Sequence, residues 1–278
     1  MSRQDTIWLD GSQVSALPLP DRGLDFGDGL FETMLVHRGQ PLFEEYHLER
    51  LCRGLQALAI PDCLQNARAE LRVATETVAR NWEWAVIRIS VLRGVGPRGY
   101  TPLLNAKPRI LIRITQLDSD HAMMPSPAKL GVAEIFLSNQ PFLAGIKHSN
   151  RLEQVIAATE AQSKGVDECI LLDDLGQVVS VIAGNIFLMC KGELCTPILD
   201  RCGVEGTRRR LIMEIWAPSI GLNVRETRMT LSDLESADEV FYSNSLHTVR
   251  PIARLNLRTW EDHSVCASLF QQYLKVVS

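Results

Sequence analysis

Two dense apolar runs set the first limit on what this chain can become. Residues 84–92 gather Val86, Ile87, Ile89 and Val91, and residues 109–117 gather Ile110, Leu111, Ile112 and Ile114. β-branched side chains at this density suit the interior of a sheet. The two runs follow one another as strands. The pattern recurs further on. Asp173-Asp174-Leu175-Gly176 and Lys191-Gly192 each separate two short apolar segments, which reads as two hairpins. Helical spacing appears between such groups: at Leu48, Leu51, Leu55 and Leu58, from Pro61 to about Arg80, and at Leu211, Ile212, Ile215 and Trp216. A further helix is expected to start near Asn150, with Asn150 and Glu153 as a capping-box variant and Leu152, Val155 and Ile156 on one face. Strands that often follow strands argue for an α+β fold, not a regular β-α-β alternation.

The length of 278 residues suits one large domain or two modest ones. The polar stretch Asp118-Ser119-Asp120-His121, followed by Pro125 and Pro127, marks the boundary. The expected division is residues 1–114, a linker at 115–122, and residues 123–278. A net charge of −4 offers no basic field for nucleic acid. No apolar run is long enough to span a bilayer, so no membrane partner is expected. The first five residues are polar and lack the apolar stretch of a signal peptide, so a cytoplasmic location is expected. Seven cysteines without a C-x-x-C pair suggest neither a disulfide framework nor a zinc ribbon, and six scattered histidines suggest no metal site.

Of the 29 basic residues only six are lysine. Arginine does not give up its proton in a protein, so amine chemistry has six candidates. Lys147 stands out, in Gly145-Ile146-Lys147-His148-Ser149-Asn150-Arg151-Leu152-Glu153-Gln154. An apolar Ile146 and the cations His148 and Arg151 would favour the neutral amine that Schiff-base chemistry needs. Four other features accompany it. The glycine-dense stretch from Asp21 to Thr33 reads as a shaped loop entering a strand. Arg50 lies beside a helical leucine face. Gly203-Val204-Glu205-Gly206-Thr207 opens a helix and could present free N–H groups to an anion. Residues 238–245 end a strand with hydroxyls at Ser243 and Ser245. The segment Gly94-Val95-Gly96-Pro97-Arg98-Gly99 matches G-x-G-x-x-G, but Pro97 and the following Tyr100-Thr101-Pro102 deny it the helix a dinucleotide site requires.

Taken in order, these features resemble the fold-type IV pyridoxal-phosphate family, across nearly the whole chain. That family includes branched-chain and D-amino-acid aminotransferases and aminodeoxychorismate lyase. The segment 145–154 is similar to the lyase pattern G-[IL]-K-H-x-N-R-L-E-Q, and residues 93–100 to R-G-x-G-x-R-G-Y. The resemblance implies a small N-terminal domain and a larger, barrel-like C-terminal domain, with pyridoxal 5'-phosphate as cofactor on Lys147. It implies that Arg50, Gly206, Thr207, Asn244 and Ser245 hold the phosphate. Phe31, Thr33, Arg98 and Tyr100 would meet the substrate, at a site lying between the domains. A homodimer is the family's usual form.

One position departs from the pattern. Relatives usually carry a Glu against the pyridine nitrogen after the hairpin at Gly176, and alignment puts Ser180 there. A serine would leave the ring a weaker electron sink. Transamination should suffer more from this than an elimination that ends in an aromatic ring. The resemblance therefore implies a small-molecule lyase that forms 4-aminobenzoate and pyruvate. A fold-type IV aminotransferase and a degenerate, non-catalytic binder are the alternatives.

Overall fold

The computed structural model describes residues 6–277; the polar first five residues lie outside them. The chain divides into two compact units. One comprises the residues up to Asp120 together with Ile146–Asn150, the other His121–Gly145 together with Arg151 onward. The lysine segment thus packs with the first unit, not early in the second. The 115–122 stretch is not all linker either, because a strand continues to Gln116.

The first unit is an antiparallel sheet with helices on one face. Its strands are β1 (Thr6–Leu9), β2 (Ser12–Gln13), β3 (Gly29–His37), β4 (Gln40–Pro41), β5 (Trp84–Leu92) and β6 (Arg109–Gln116), in the order β2-β1-β6-β5-β3-β4. The helices are α1 (Arg22–Phe26), α2 (Glu44–Ala57) and α3 (Leu64–Val78). Side chains alternate across a pleated sheet. Leu30, Met34 and Val36 of β3, Ile87 and Ile89 of β5, and Ile112 of β6 therefore join Leu48, Leu51 and Leu55 of α2 in one core. The intervening residues, Phe31, Thr33, Arg88 and Ser90 among them, belong to the other face. Glu44 and Glu45 in the first turn of α2 complement its dipole. Ala59 in the left-handed region and Pro61 keep the helix from continuing.

The second unit holds β7 (Ala128–Leu137), α4 (Leu152–Lys164), β8 (Glu168–Asp173), β9 (Val178–Val181), β10 (Asn185–Cys190), β11 (Glu193–Pro197), α5 (Thr207–Leu211), α6 (Ala217–Ser219), β12 (Val224–Thr227), α7 (Leu231–Ser236), β13 (Glu239–Asn244), β14 (Thr248–Leu255), β15 (Arg258–Thr259) and α8 (Ser264–Val277). A turn of π-helix, Ile212–Trp216, joins α5 to α6. The sheet order is β12-β11-β10-β13-β14-β7-β8-β9, with β15 on β14. The parallel pair β7–β8 is joined through α4, as a parallel connection requires. Ile170, Leu172, Ile186, Val240, Tyr242 and Ile252 form a core there.

Two local expectations need correction. The cap position of α4 is Arg151, whose side chain makes no capping hydrogen bond. Asn150 instead donates from Nδ2 to the Gly27 carbonyl at 3.1 Å, and Glu153 accepts from the Ser138 amide at 2.8 Å. Each side chain has a distant partner, so the capping box does not form. Leu152, Val155 and Ile156 are exposed, whereas Ala157 and Ala161 are the buried residues of α4. Ile215 is also exposed, while Leu211, Ile212 and Trp216 are buried.

Candidate active site

In the first unit, the lysine segment is laid against the start of β3. The Phe31 amide donates to the Lys147 carbonyl at 3.0 Å, the Ser149 amide donates to the Gly29 carbonyl at 2.9 Å, and Leu30 and His148 form an isolated bridge. Gly27 is required on the facing side. It has a φ of +63°, and a Cβ there would lie 2.4 Å from Asn150 Oδ1. These contacts bring the Lys147 Nζ to 4.5 Å from the centre of the Phe31 ring. The Arg88 guanidinium lies over the same ring at 3.6 Å. Arg88 sits opposite both Thr33 and Arg113 in the sheet register. Burial first, and the charge of Arg113 second, pull its pKa down. Its guanidinium has no carboxylate or hydrogen-bonded partner among the described residues. Arg88 has no role in the motif reading. Its signal is a lone cation at an alternate position of a strand rich in isoleucine and valine.

Arg50 is buried and committed to a carboxylate. Its Nε donates to Glu32 Oε1 at 2.8 Å, and its Nη2 donates to Oε2. His47 Nδ1 lies 2.6 Å from the same Oε2. Burial raises the Glu32 pKa, but the Arg50 charge and the bonds from Arg50 and His47 outweigh it and hold the carboxyl at about 2. The carboxylate in turn fixes the guanidinium plane. Glu32 points to the helical side of β3, opposite to Phe31 and Thr33. Its role is invisible in sequence because its partners lie 15 and 18 residues away on α2.

Arg98 and Tyr100 are exposed on the loop that follows β5, and the Tyr100 ring leans on Phe26 with centroids 5.5 Å apart. No helix opens at Gly99, which has a φ of +85°.

In the second unit, Gly206, Thr207 and Asn185 meet. Asn185 Nδ2 donates to the Val204 carbonyl at 2.9 Å, just ahead of the α5 start at Thr207. A Cβ on Gly206 would fall 1.9 Å from Asn185 Oδ1, so only glycine fits this approach. Ser243 is opposite Asn185 across β10–β13, and its Oγ is buried without a hydrogen-bond partner. Glycine at a helix start beside an orphaned hydroxyl fits the phosphate of the expected cofactor. Asn244 is spent otherwise: its Oδ1 accepts from the Leu246 and His247 amides at 3.0 and 2.7 Å, forming the turn that carries Ser245. The Ser245 carbonyl accepts from Arg208 Nη2 at 3.4 Å.

Ser180 is buried in β9 and paired with Leu171 of β8. Glu168 lies on β8 as well, three residues from Leu171, and so shares the face of Ile170 instead. Burial pushes its carboxyl up to about 7, against the backbone N–H groups of Ile182 and Ala183, and its Oε2 has no partner. Its carboxyl thus belongs to the face opposite to that of Ser180. Among the described residues, no group of three or more His, Cys, Asp or Glu side chains could hold a metal ion. No described helix is long and apolar enough to cross a membrane.

The model of the amino-transferase class IV family matches residues 29–255. An aminodeoxychorismate lyase of Vibrio harveyi is 34% identical over 251 residues, which cover 90% of this chain and 91% of that protein. A putative branched-chain-amino-acid aminotransferase of Methanocaldococcus jannaschii is 31% identical, over 93% of this chain and 91% of that one. Among solved structures, a 4-amino-4-deoxychorismate lyase from Pseudomonas aeruginosa superposes with a TM-score of 0.89 at 35% identity, covering 97% of this chain and 98% of that one. The chain therefore belongs to the class IV aminotransferase family, with its two-domain α+β, fold-type IV architecture. Pyridoxal phosphate is the cofactor of this family.

Proposed function

We propose that this chain is an aminodeoxychorismate lyase, which converts 4-amino-4-deoxychorismate to 4-aminobenzoate and pyruvate and so feeds folate synthesis. The observation that carries the reading is the shared Phe31 ring: Lys147 on it at 4.5 Å, and beside it a half-buried guanidinium, Arg88, without a carboxylate partner among the described residues. An amine next to an uncompensated cation suits a substrate that is both an amine and an anion. Lyases similar to this chain over nine-tenths of its length support the same choice.

Pyridoxal phosphate, when bound, supplies the electron sink for loss of a proton from an amine-bearing carbon. Lys147 would hold it covalently. Arg50, Gly206, Thr207 and Ser245 would bind its phosphate, with Asn244 shaping the turn. Ser180 would set a neutral hydroxyl against the ring nitrogen. In this reading Lys147 Nζ, set free when the substrate amine takes its place, would take the proton from the ring carbon that bears that amine. The bond from the ring to the enolpyruvyl oxygen breaks and the ring becomes aromatic. The enolpyruvate leaves, gains a proton and becomes pyruvate. Arg98 and Arg88 each bind a substrate carboxylate, as a planar fork does well, while Thr33 and Tyr100 line the pocket with Phe31. Aromatisation drives the elimination, so the neutral Ser180 is tolerated.

The test is a stopped assay for 4-aminobenzoate and pyruvate. Wild type should form them in equal amounts, and Lys147→Ala should lose at least about 100-fold in rate. An oxo acid formed only with an amino acceptor, and no 4-aminobenzoate, would establish the aminotransferase that the archaeal relative suggests. A homodimer in the cytoplasm belongs to the same proposal. The exposed apolar Leu152, Val155 and Ile156 support a surface for a second copy, and sedimentation velocity reads the mass.

A further inference from the structure

We infer that Arg22 is a positioning residue for the substrate loop, the post around which residues 93–100 wind. Arg22 begins α1 and is almost fully buried, although it carries a charge and lies far in sequence from that loop. Every arm of its guanidinium is engaged. Nε donates to Asp28 Oδ2 at 3.0 Å, Nη1 to the Gly99 carbonyl at 2.9 Å, and Nη2 to the Tyr100 carbonyl at 2.8 Å. Its own backbone amide donates to the Gly94 carbonyl at 3.0 Å. One residue therefore ties both ends of the loop. The middle passes close to its stem, since a Cβ on Gly96 would lie 2.7 Å from Arg22 Cδ.

The near end has a second anchor that shares the same carboxylate. Arg93 Nε donates to Asp28 Oδ2 at 2.7 Å, while its Nη1 and Nη2 donate to the Ala59 and Leu58 carbonyls at 2.8 and 2.6 Å. The Arg22 guanidinium also lies 4.8 Å from the Phe26 ring, on which Tyr100 leans. Arg98 immediately precedes the two carbonyls that Arg22 holds. A fork that fixes Gly99 and Tyr100 thereby limits where the Arg98 side chain can reach. Arg98 is exposed and free to turn toward an anion; the backbone under it is not free. Pre-ordering of the loop removes an entropic cost that substrate would otherwise meet on binding.

The role of Arg22 in catalysis rests on the lyase reading above, but the ordering of the loop does not. Trypsin can cut the exposed Arg98–Gly99 bond only when the loop opens. We therefore compare wild type, Arg22→Gln, Arg22→Lys and Gly96→Ala as holoenzymes, following that cut by mass spectrometry of the fragments. Arg22→Gln loses three charge-assisted bonds, two of them to the loop carbonyls, so its cut should be at least about tenfold faster. Arg22→Lys should be intermediate. Gly96→Ala pushes the loop from the other side and should also open it. With 4-amino-4-deoxychorismate, KM should rise about tenfold in Arg22→Gln while kcat falls no more than about twofold. Partial recovery of KM by Arg22→Lys would support positioning. A wild-type cutting rate in both Arg22→Gln and Gly96→Ala overturns the proposal, as does an equal loss of kcat with KM unchanged. If wild type proves not to be a lyase, the cutting rates still decide whether Arg22 orders the loop.

Discussion

Lys147 and Arg88 approach one aromatic ring, that of Phe31, at 4.5 and 3.6 Å. The Arg88 guanidinium is attracted to the negative ring face, by about 0.5–2 kcal/mol according to how dry the site is. The ring face receives the Arg88 guanidinium, which has no carboxylate partner among the described residues. Phe31→Leu keeps an apolar side chain of lesser size and removes this attraction. Substrate KM should rise several-fold and exceed the loss in kcat, as steady-state kinetics will read. Borohydride should fix pyridoxal phosphate covalently in Phe31→Leu but not in Lys147→Ala, which mass spectrometry distinguishes.

Glu32→Gln should be severely destabilising. It leaves the Arg50 guanidinium buried without its counter-charge, a change that costs about 3–5 kcal/mol in other buried pairs. The midpoint of urea unfolding should fall accordingly. Arg50→Lys should also destabilise, because an ammonium cannot make the two parallel bonds to Glu32.

The same carboxylate makes stability acid-sensitive. Its folded pKa of about 2 lies below the ordinary 4.5, so between these values the unfolded chain binds more protons. The stabilisation is fully present above pH 4.5 and is lost as pH falls toward 2. At 1.36 kcal/mol per unit, the loss is about 3 kcal/mol. Unfolding free energies measured between pH 5 and pH 2.5 should show this slope in wild type and not in Glu32→Gln.

Glu168 works with the opposite sign. Its folded pKa, about 7, lies above the ordinary 4.5. Between them the folded chain binds more protons, so this group's stabilisation is present below pH 4.5 and is lost as pH rises through 7. Glu168→Gln keeps an oxygen for the Ile182 and Ala183 amides and removes the titration. The variant should be flatter in stability from pH 4.5 to 7 and more stable than wild type at pH 8. Thermal unfolding across that range provides the check.

Gly206→Ala should weaken pyridoxal phosphate binding without unfolding the second unit. The added methyl must displace Asn185, which then loses its bond to the Val204 carbonyl. Titration of the cofactor by absorbance should show at least about a tenfold weaker Kd, the equivalent of one such bond.

Where a signal lay within a few neighbouring residues, the sequence was a good guide. The β5 and β6 runs and the hairpins at Gly176 and Lys191-Gly192 follow from side-chain alternation and from backbones that favour a positive φ. Lys147 was legible for another reason: a rare amine in a long specific motif. What failed was local in form and distant in cause. Asn150 looks like a cap, yet its amide reaches Gly27, 123 residues away in the chain. Leu152, Val155 and Ile156 have core spacing but lie on the exposed side of α4, while Ala157 and Ala161 supply its buried face.

The sequence by itself determined the long strands and helices, the glycines at tight turns and the amine that can carry a cofactor, but it read the stretch from Asp21 to Thr33 as a loop, where Asp21 caps the short helix α1. These depend on period and on torsion, which neighbouring residues set. Only the tertiary structure decided that Lys147 packs with the first unit, that Glu32 neutralises Arg50, and that Arg88 has an aromatic face and no carboxylate partner among the described residues. It alone showed that Arg22 reaches carbonyls 77 and 78 residues downstream. Such pairings arise when folding removes a charge from water and it must find a partner on whatever segment the topology brings near.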